Sequence, residues 1–153
     1  MESQVQSGLA AETEQVIVVE PYKFVPPKNG TFVARLLQPI VPWQLKRAWN
    51  VVGHEVRGVE KLRDSVKAGH GVVITPNHVR ESDAMAVGLI TKPAGTPFHF
   101  MASWHVFKQG WFQRFLVRQS GGFSVHREGM DRTSLNTAIE ILAEASRPLV
   151  LFP

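Results

Sequence analysis

Hydrophobic residues from about residue 53 onward form short runs that alternate with longer segments of helical spacing. The runs at 72–74, 98–102, 123–126 and 149–152 have the length and composition of buried strands. Glycine or proline closes most of the segments between them, as is common at helix ends. Strands that alternate with helices predict an α/β fold, with a central mixed or mostly parallel sheet flanked by helices.

The same pattern predicts the remaining elements of this region. One further short strand is predicted at 54–58, and helices are predicted at 59–67, 83–91, 104–118 and 132–146. Aromatic residues recur at helical spacing in the third helix, namely Trp104, Phe107, Trp111, Phe112 and Phe115. Such a stripe favours a core-facing surface over a channel for an apolar ligand or a membrane-facing surface.

The chain divides into three parts by composition. Residues 1–30 are predicted to be a flexible tail followed by a proline-rich connector. Residues 31–52 form an amphipathic helical lead-in, which Pro39 and Pro42 divide into two short helices. Its tryptophans and cations suit an interfacial membrane anchor, although amphipathic helices more often pack on a core. Residues 53–153 form the α/β domain.

Composition excludes several classes of protein. The 153 residues suit one domain, and the absence of cysteine excludes disulfides, thiolate metal sites and cysteine nucleophiles. The formal net charge of +4 favours anionic partners such as phosphates, lipid headgroups or nucleic acid. No apolar run has the length of a membrane span, and no basic start followed by an apolar stretch indicates a signal peptide.

One turn brings together residues that can move a proton. His78 follows the predicted strand at 72–74, and Asp83 stands at the start of the next predicted helix. A carboxylate in the same tight turn can hold one tautomer of the imidazole and stabilise its protonated form. Proton removal from a hydroxyl near neutral pH uses such a pair. Taken alone, the spacing is also that of ordinary solvated loop residues.

A second segment is suited to an anionic ligand. Gly121 and Gly122 precede the predicted strand at 123–126, and glycine allows a close approach of the backbone to a ligand. Arg127 follows at the carboxyl end of that strand, where open α/β sheets bind ligands. Its guanidinium can bind phosphate through two hydrogen bonds, although an exposed arginine after a glycine turn is the simpler interpretation.

Three segments together resemble the phospholipid/glycerol acyltransferase family, which includes the lysophosphatidate acyltransferases. Asn77 and His78 with Asp83, the run Gly-Phe-Ser-Val-His-Arg at 122–127, and Leu-Phe-Pro at 151–153 resemble its first three motif blocks in order and spacing. In the family the third block continues into Glu-Gly, and a fourth block follows. We therefore expect the chain to be a fragment that is inactive by itself.

The resemblance implies transfer of a fatty acyl group in phospholipid biosynthesis. The donor would be acyl-CoA or an acyl carrier protein, and the acceptor the hydroxyl of a lysophospholipid or glycerol phosphate. It implies His78 as general base, Asp83 as its orienting partner, and Arg127 with Gly122 as substrate-binding residues. It implies no cofactor or metal, and a membrane-associated enzyme on the cytoplasmic face.

Two other functions fit parts of the sequence. A basic module that binds anionic surfaces or nucleic acid would use the net positive charge and the tryptophans, but the cations are dispersed and match no nucleic-acid motif, so we expect no nucleic-acid partner. A lipid or thioester hydrolase would use the same His78 and Asp83 to activate water.

Overall fold

The computed structural model describes residues 21–152. The predicted flexible tail falls largely on residues 1–20, which lie outside the described residues, as does Pro153. Residues 21–30, the predicted connector, have no regular secondary structure.

Six α-helices, one 3₁₀ helix and four strands occur within residues 21–152. The helices are α1 (Phe32–Leu37), α2 (Ile40–Trp49), α3 (Val59–Lys67), α4 (Asp83–Ala94), α5 (Trp111–Gln119), α6 (Arg132–Glu144) and the 3₁₀ helix Trp104–Lys108. The strands are β1 (Val73–Ile74), β2 (His99–Ser103), β3 (Gly122–Val125) and β4 (Leu149–Val150).

The four strands form one parallel sheet in the order β1-β4-β2-β3. β4 is last in the chain but lies between β1 and β2. The amide of Leu149 donates to the carbonyl of Val72 at 2.9 Å, and the amide of His99 donates to the carbonyl of Pro148 at 2.8 Å. The predicted α/β fold is therefore confirmed, and all strand pairs of the described sheet are parallel.

The two consecutive residues of β4 pack into hydrophobic cores on opposite faces of the sheet. Leu149 packs in a buried cluster with Phe123 of β3 and with Ala138 and Ile141 of α6. Val150 packs on the other face, in a cluster bordered by side chains of α3 and α4. Because successive residues of a strand point to opposite faces, the sheet lies between α6 on one side and α3 with α4 on the other.

The predicted strand at 54–58 is wrong, because these residues form a loop. Glu55 and Arg57 are exposed there, and the arginine donates two hydrogen bonds to the carboxylate, at 2.6 and 2.9 Å. Two charged residues that pair in solvent leave this segment without the apolar face that a strand of the sheet requires.

The single predicted helix at 104–118 is interrupted. Gly110 has a φ of 122°, and it separates the 3₁₀ helix from α5. The expectation of a core-facing aromatic stripe holds for Trp104 and Phe107, which are buried. It is wrong for the aromatic residues of α5, which are exposed by 81%, 58% and 46%, namely Trp111, Phe112 and Phe115. The glycine turns this part of the aromatic pattern away from the core.

The two short helices predicted in the lead-in are present as α1 and α2. Leu45 is buried, and Val41 packs near Gly88 of α4. The large apolar side chains that remain exposed are Phe32, Leu36, Ile40, Trp43 and Trp49. Packing on the domain thus accounts for only one face of the lead-in. Within residues 21–152 no helix is long and apolar enough to cross a membrane.

A buried arginine lies at the amino-terminal end of the sheet and links β2 to the connector. Arg147 donates from Nε to His99 Nε2 at 3.0 Å and from Nη2 to the carbonyl of Lys28 at 3.1 Å. It has no carboxylate partner within residues 21–152. Burial, together with the positive charge of Arg147, lowers the pKa of His99 to about 4, so the imidazole is neutral and accepts a hydrogen bond at pH 7.

Asp131 caps α6 and joins it to the end of β3. Its carboxylate accepts hydrogen bonds from the amides of Ser134 and His126, both at 3.0 Å, and contacts the Ser134 hydroxyl. Burial alone would raise the pKa of Asp131, but the hydrogen bonds from Ser134, Tyr22 and His126 lower it to about 2.

We expect Asp131→Ala to lower the free energy of unfolding by about 1–2 kcal/mol, because the cap of α6 is lost. The folded pKa lies below the ordinary value of 3.8. The stabilisation is therefore complete above about pH 4 and is lost as the pH falls toward 2. Urea unfolding at several pH values measures both effects.

Asp131→Asn is the matched control, since asparagine caps helices well but carries no charge. It should retain most of the stability at pH 7 and lose the dependence on acid. An alanine variant as stable as the wild type would contradict the assigned role.

Candidate active site

The carboxyl ends of the parallel strands form the edge at which the site lies. β1 ends at Ile74, and His78 follows four residues later in the loop before α4. The imidazole of His78 lies 4.8 Å from the ring of Phe152, centroid to centroid, just beyond the end of β4. The candidate base therefore sits where β1 and its neighbour β4 both end, which is the usual position of ligands in open α/β sheets.

Asp83 is held against His78 by the backbone of the intervening turn. Its Oδ2 accepts hydrogen bonds from the amides of Val79 and Arg80, both at 2.7 Å. The same oxygen lies 3.8 Å from His78 Nδ1. The pair is in ion-pair range but longer than a direct hydrogen bond. The structure thus brings the predicted histidine and aspartate together on one side of the turn.

The electrostatics of this turn keep the aspartate ionised. The amide hydrogen bonds from Arg80 and Val79 lower the pKa of Asp83 below its ordinary value, with a smaller contribution from the charge of His78. Hydrogen bonds to a carboxylate favour its charged form. At neutral pH the site therefore presents a negative charge to the Nδ1 side of the His78 ring.

The other polar residues of the turn have different surroundings. Ser82 is buried and stands at the N-cap position of α4, but its side chain makes no capping hydrogen bond. Asp83 accepts hydrogen bonds from the amides of Val79 and Arg80 in the preceding turn, not from amides of α4. Arg80 and Glu81 are exposed.

Arg127 lies at the same edge of the sheet but not beside His78. It follows the end of β3 by two residues, and β4 and β2 lie between β3 and β1. Three strand spacings place the ends of β1 and β3 about 14 Å apart. The guanidinium is exposed and forms no ion pair within residues 21–152. A ligand that contacted both residues would have to span this distance together with the arginine side chain.

Gly122 lies at the amino end of β3, at the opposite edge from His78. A Cβ there would meet Val117 at 2.7 Å and Phe100 at 2.8 Å. Close packing of α5 and β2 on β3 therefore explains the glycine. Its role in substrate binding stays a prediction.

Two further residues near Arg127 were not predicted from the sequence, namely Asp131 and Tyr22. Asp131 fixes the backbone of His126, and the ring of Tyr22 stacks on the imidazole of His126 at 4.9 Å, with 15° between the planes. An aspartate directly before a predicted helix is an N-cap signal, and it could have identified Asp131 from the sequence. A contact between residues more than one hundred positions apart leaves no comparable local signal.

A cleft of about 320 Å³ opens beside the aspartate. Asn77 and Asp83 line one end, and apolar residues of α4, among them Val87 and Ile90, line its wall. A second cleft of about 270 Å³ shares His54 and Leu89 with the first and continues toward α2. Within the described residues no group of three or more His, Asp or Glu side chains could hold a metal ion.

Comparison with known proteins agrees with the resemblance seen in the motifs. The family model described as Acyltransferase matches residues 54–153, which is well over half of the chain. Neither the search of curated proteins nor the search of solved structures gave a match. The family match spans β1 to β4, including His78, Asp83 and Arg127. The chain therefore belongs to the acyltransferase family, the phospholipid/glycerol acyltransferases.

Proposed function

We propose that the protein transfers a fatty acyl group from acyl-CoA or an acyl carrier protein to the hydroxyl of a lysophospholipid or glycerol phosphate. The observation that carries this proposal is the His78–Asp83 pair at the carboxyl edge of the sheet, 3.8 Å apart, within the region of the family match. The phosphate-bearing acceptor is proposed because Arg127 lies at the carboxyl ends of the same strands, is exposed, and has no ion-pair partner within residues 21–152.

In the proposed mechanism His78 acts as general base. Nε2 takes the proton of the acceptor hydroxyl, and the oxygen attacks the carbonyl carbon of the thioester. When the tetrahedral intermediate collapses, the carbon–sulfur bond breaks and the thiol leaves with the proton from His78. Asp83 keeps the Nδ1 proton in place and stabilises the imidazolium between the two steps. A thioester is already activated, so positioning and a base supply most of the catalysis.

The clefts suggest where the acyl chain lies. The first cleft starts at Asp83, and its wall is formed by the apolar side of α4. The second leads on past Leu89 to Trp43 and Leu45 of α2. An acyl chain in these clefts would have its carbonyl near His78 and its methyl end toward the lead-in helices.

The lead-in helices support association with a membrane surface, which we propose lies on the cytoplasmic side. Phe32 and Trp43 are exposed by 76% and 60%, and Arg47 lies 5.6 Å from the Trp43 ring centre. Exposed aromatic residues combined with cations are typical of helices that lie in the headgroup region of anionic bilayers. The absence of cysteine fits a reducing compartment.

The base assignment predicts that His78→Ala lowers kcat for acyl transfer by about 10²–10⁴-fold. Asp83→Asn should lower kcat less than His78→Ala does. Its amide oxygen can still accept the hydrogen bonds from Val79 and Arg80, and only the charge is lost. Transfer from acyl-CoA to lysophosphatidate by the full-length protein measures both.

Val79→Ala is a matched control in the same turn, since its side chain is 84% exposed, and it should retain activity. Normal turnover in His78→Ala would show that the base assignment is wrong. Release of free fatty acid without any acceptor would identify a hydrolase instead.

The acceptor assignment predicts that Arg127→Ala raises KM for lysophosphatidate about ten- to hundredfold, the worth of a charge-assisted hydrogen bond. The KM for acyl-CoA should stay the same. Steady-state kinetics with each substrate varied in turn checks this, with Arg132→Ala as the control for a nearby exposed cation. Equal effects of the two substitutions would contradict a specific phosphate contact.

The membrane assignment predicts that Trp43→Ser weakens binding to vesicles of phosphatidylglycerol and phosphatidylcholine by roughly tenfold, because one large apolar side chain no longer enters the bilayer. Leu135→Ser removes a similarly exposed apolar residue from α6 and should not change binding. Sedimentation with vesicles measures the partition. The proposal fails if the two variants bind alike.

A further inference from the structure

The connector before the lead-in helices covers the free edge of the sheet. β3 is an edge strand of the described sheet, so one row of its backbone groups has no partner strand within residues 21–152. The amide of Ser124 donates to the carbonyl of Val25 at 3.0 Å, and the amide of Val25 donates to Ser124 Oγ at 2.8 Å. Val25 is buried as a result. Residues 21–28 thus lie along β3, although the family match begins only at residue 54.

Contacts at both ends hold this segment in place. At the amino end of β3, the amide of Lys28 donates to the carbonyl of Arg118 at 3.3 Å, and Arg147 donates to the carbonyl of Lys28. At the carboxyl end, the hydroxyl of Tyr22 lies 3.0 Å from Ser124 Oγ. The connector therefore runs antiparallel to β3. It places Tyr22 near the carboxyl ends of the strands, where the candidate site lies.

Tyr22 contacts the residue that precedes the candidate phosphate-binding arginine. The Tyr22 ring stacks on the ring of His126. It also makes a T-shaped contact with the ring of Trp104 at a centroid distance of 5.6 Å. The backbone amide of His126 is bound separately by Asp131. His126 is therefore fixed through both its ring and its backbone. The ring also lies 3.7 Å from the carboxylate of Glu128 through Nε2. Arg127 follows His126 directly in the chain and has no ion-pair partner of its own within residues 21–152.

We propose that Tyr22 is a positioning residue that acts through His126 to hold Arg127 toward the phosphate of the acceptor. This inference rests on the proposed function, because it uses the role assigned there to Arg127. The chemical class of ligand is a phosphomonoester on a lipid or glycerol backbone. The connector then belongs to the substrate site as well as to the sheet.

The test uses the full-length protein with Tyr22→Leu, which keeps an apolar side chain but removes the planar ring and the hydroxyl. Loss of the stacked contact should raise KM for lysophosphatidate roughly three- to tenfold. Both kcat and KM for acyl-CoA should be unchanged, whereas a general loss of structure would change all three. Tyr22→Phe keeps the ring and should restore most of the affinity. Lys23→Ala, at the exposed neighbouring position, should behave as the wild type.

A double-mutant cycle shows whether Tyr22 acts through Arg127. If it does, Tyr22→Leu should add no further increase in KM when Arg127 is already alanine. Additive effects of the two substitutions, or an unchanged KM in Tyr22→Leu, would overturn the proposal.

A second measurement is independent of catalysis. Hydrogen exchange of the His126 amide and the rate of tryptic cleavage after Arg127 should both increase in Tyr22→Leu and stay unchanged in Lys23→Ala. If the wild type transferred no acyl group, the proposed function would fail while this readout would still report on the loop. Unchanged exchange and cleavage would refute the positioning role.

Discussion

The insertion of β4 between β1 and β2 is the constraint on which the rest of the structure depends. Its amides and carbonyls bond to both neighbours, and Leu149 and Val150 are almost fully buried on opposite faces. Without this strand the sheet would separate into β1 and the β2–β3 pair, because β4 is the element that joins them. The insertion also sets the width of the candidate site, since it separates the end of β1 from the ends of β2 and β3. Phe152 reaches His78 because β4 adjoins β1.

The fold class and the proximity of His78 and Asp83 could be predicted because both depend on local patterns. Short apolar runs between helical segments indicate a parallel sheet, and His78 and Asp83 are close in the chain, so one turn decides their geometry. The predicted strand at 54–58 failed because Glu55 and Arg57 pair in solvent instead of leaving an apolar face for the sheet. The prediction of one continuous helix at 104–118 failed for another reason. The aromatic spacing continues across Gly110, but the backbone conformation of that residue does not allow the helix to continue.

Features that depend on strand order could not be predicted. The segments around His78 and Arg127 resemble motifs of one site, yet no local pattern shows that two other strands lie between them. The contacts of Tyr22 with Ser124 and His126 join positions about a hundred residues apart. Prolines in the connector suggested only an extended chain, and prolines are also compatible with an edge position in a sheet. Tertiary packing alone reveals which of these meanings applies.

The pairing of the connector with β3 has a consequence for where the folding unit begins. Sequence similarity starts at residue 54, but hydrogen bonding starts at least thirty residues earlier, with the contacts of Tyr22 and Val25. A protein cut at the similarity boundary would lose the segment that bonds to Ser124 and would leave this side of β3 unprotected. Such strands recruit other chains, so the excised domain would tend toward self-association. The physical boundary of this domain therefore lies before the segment that similarity defines.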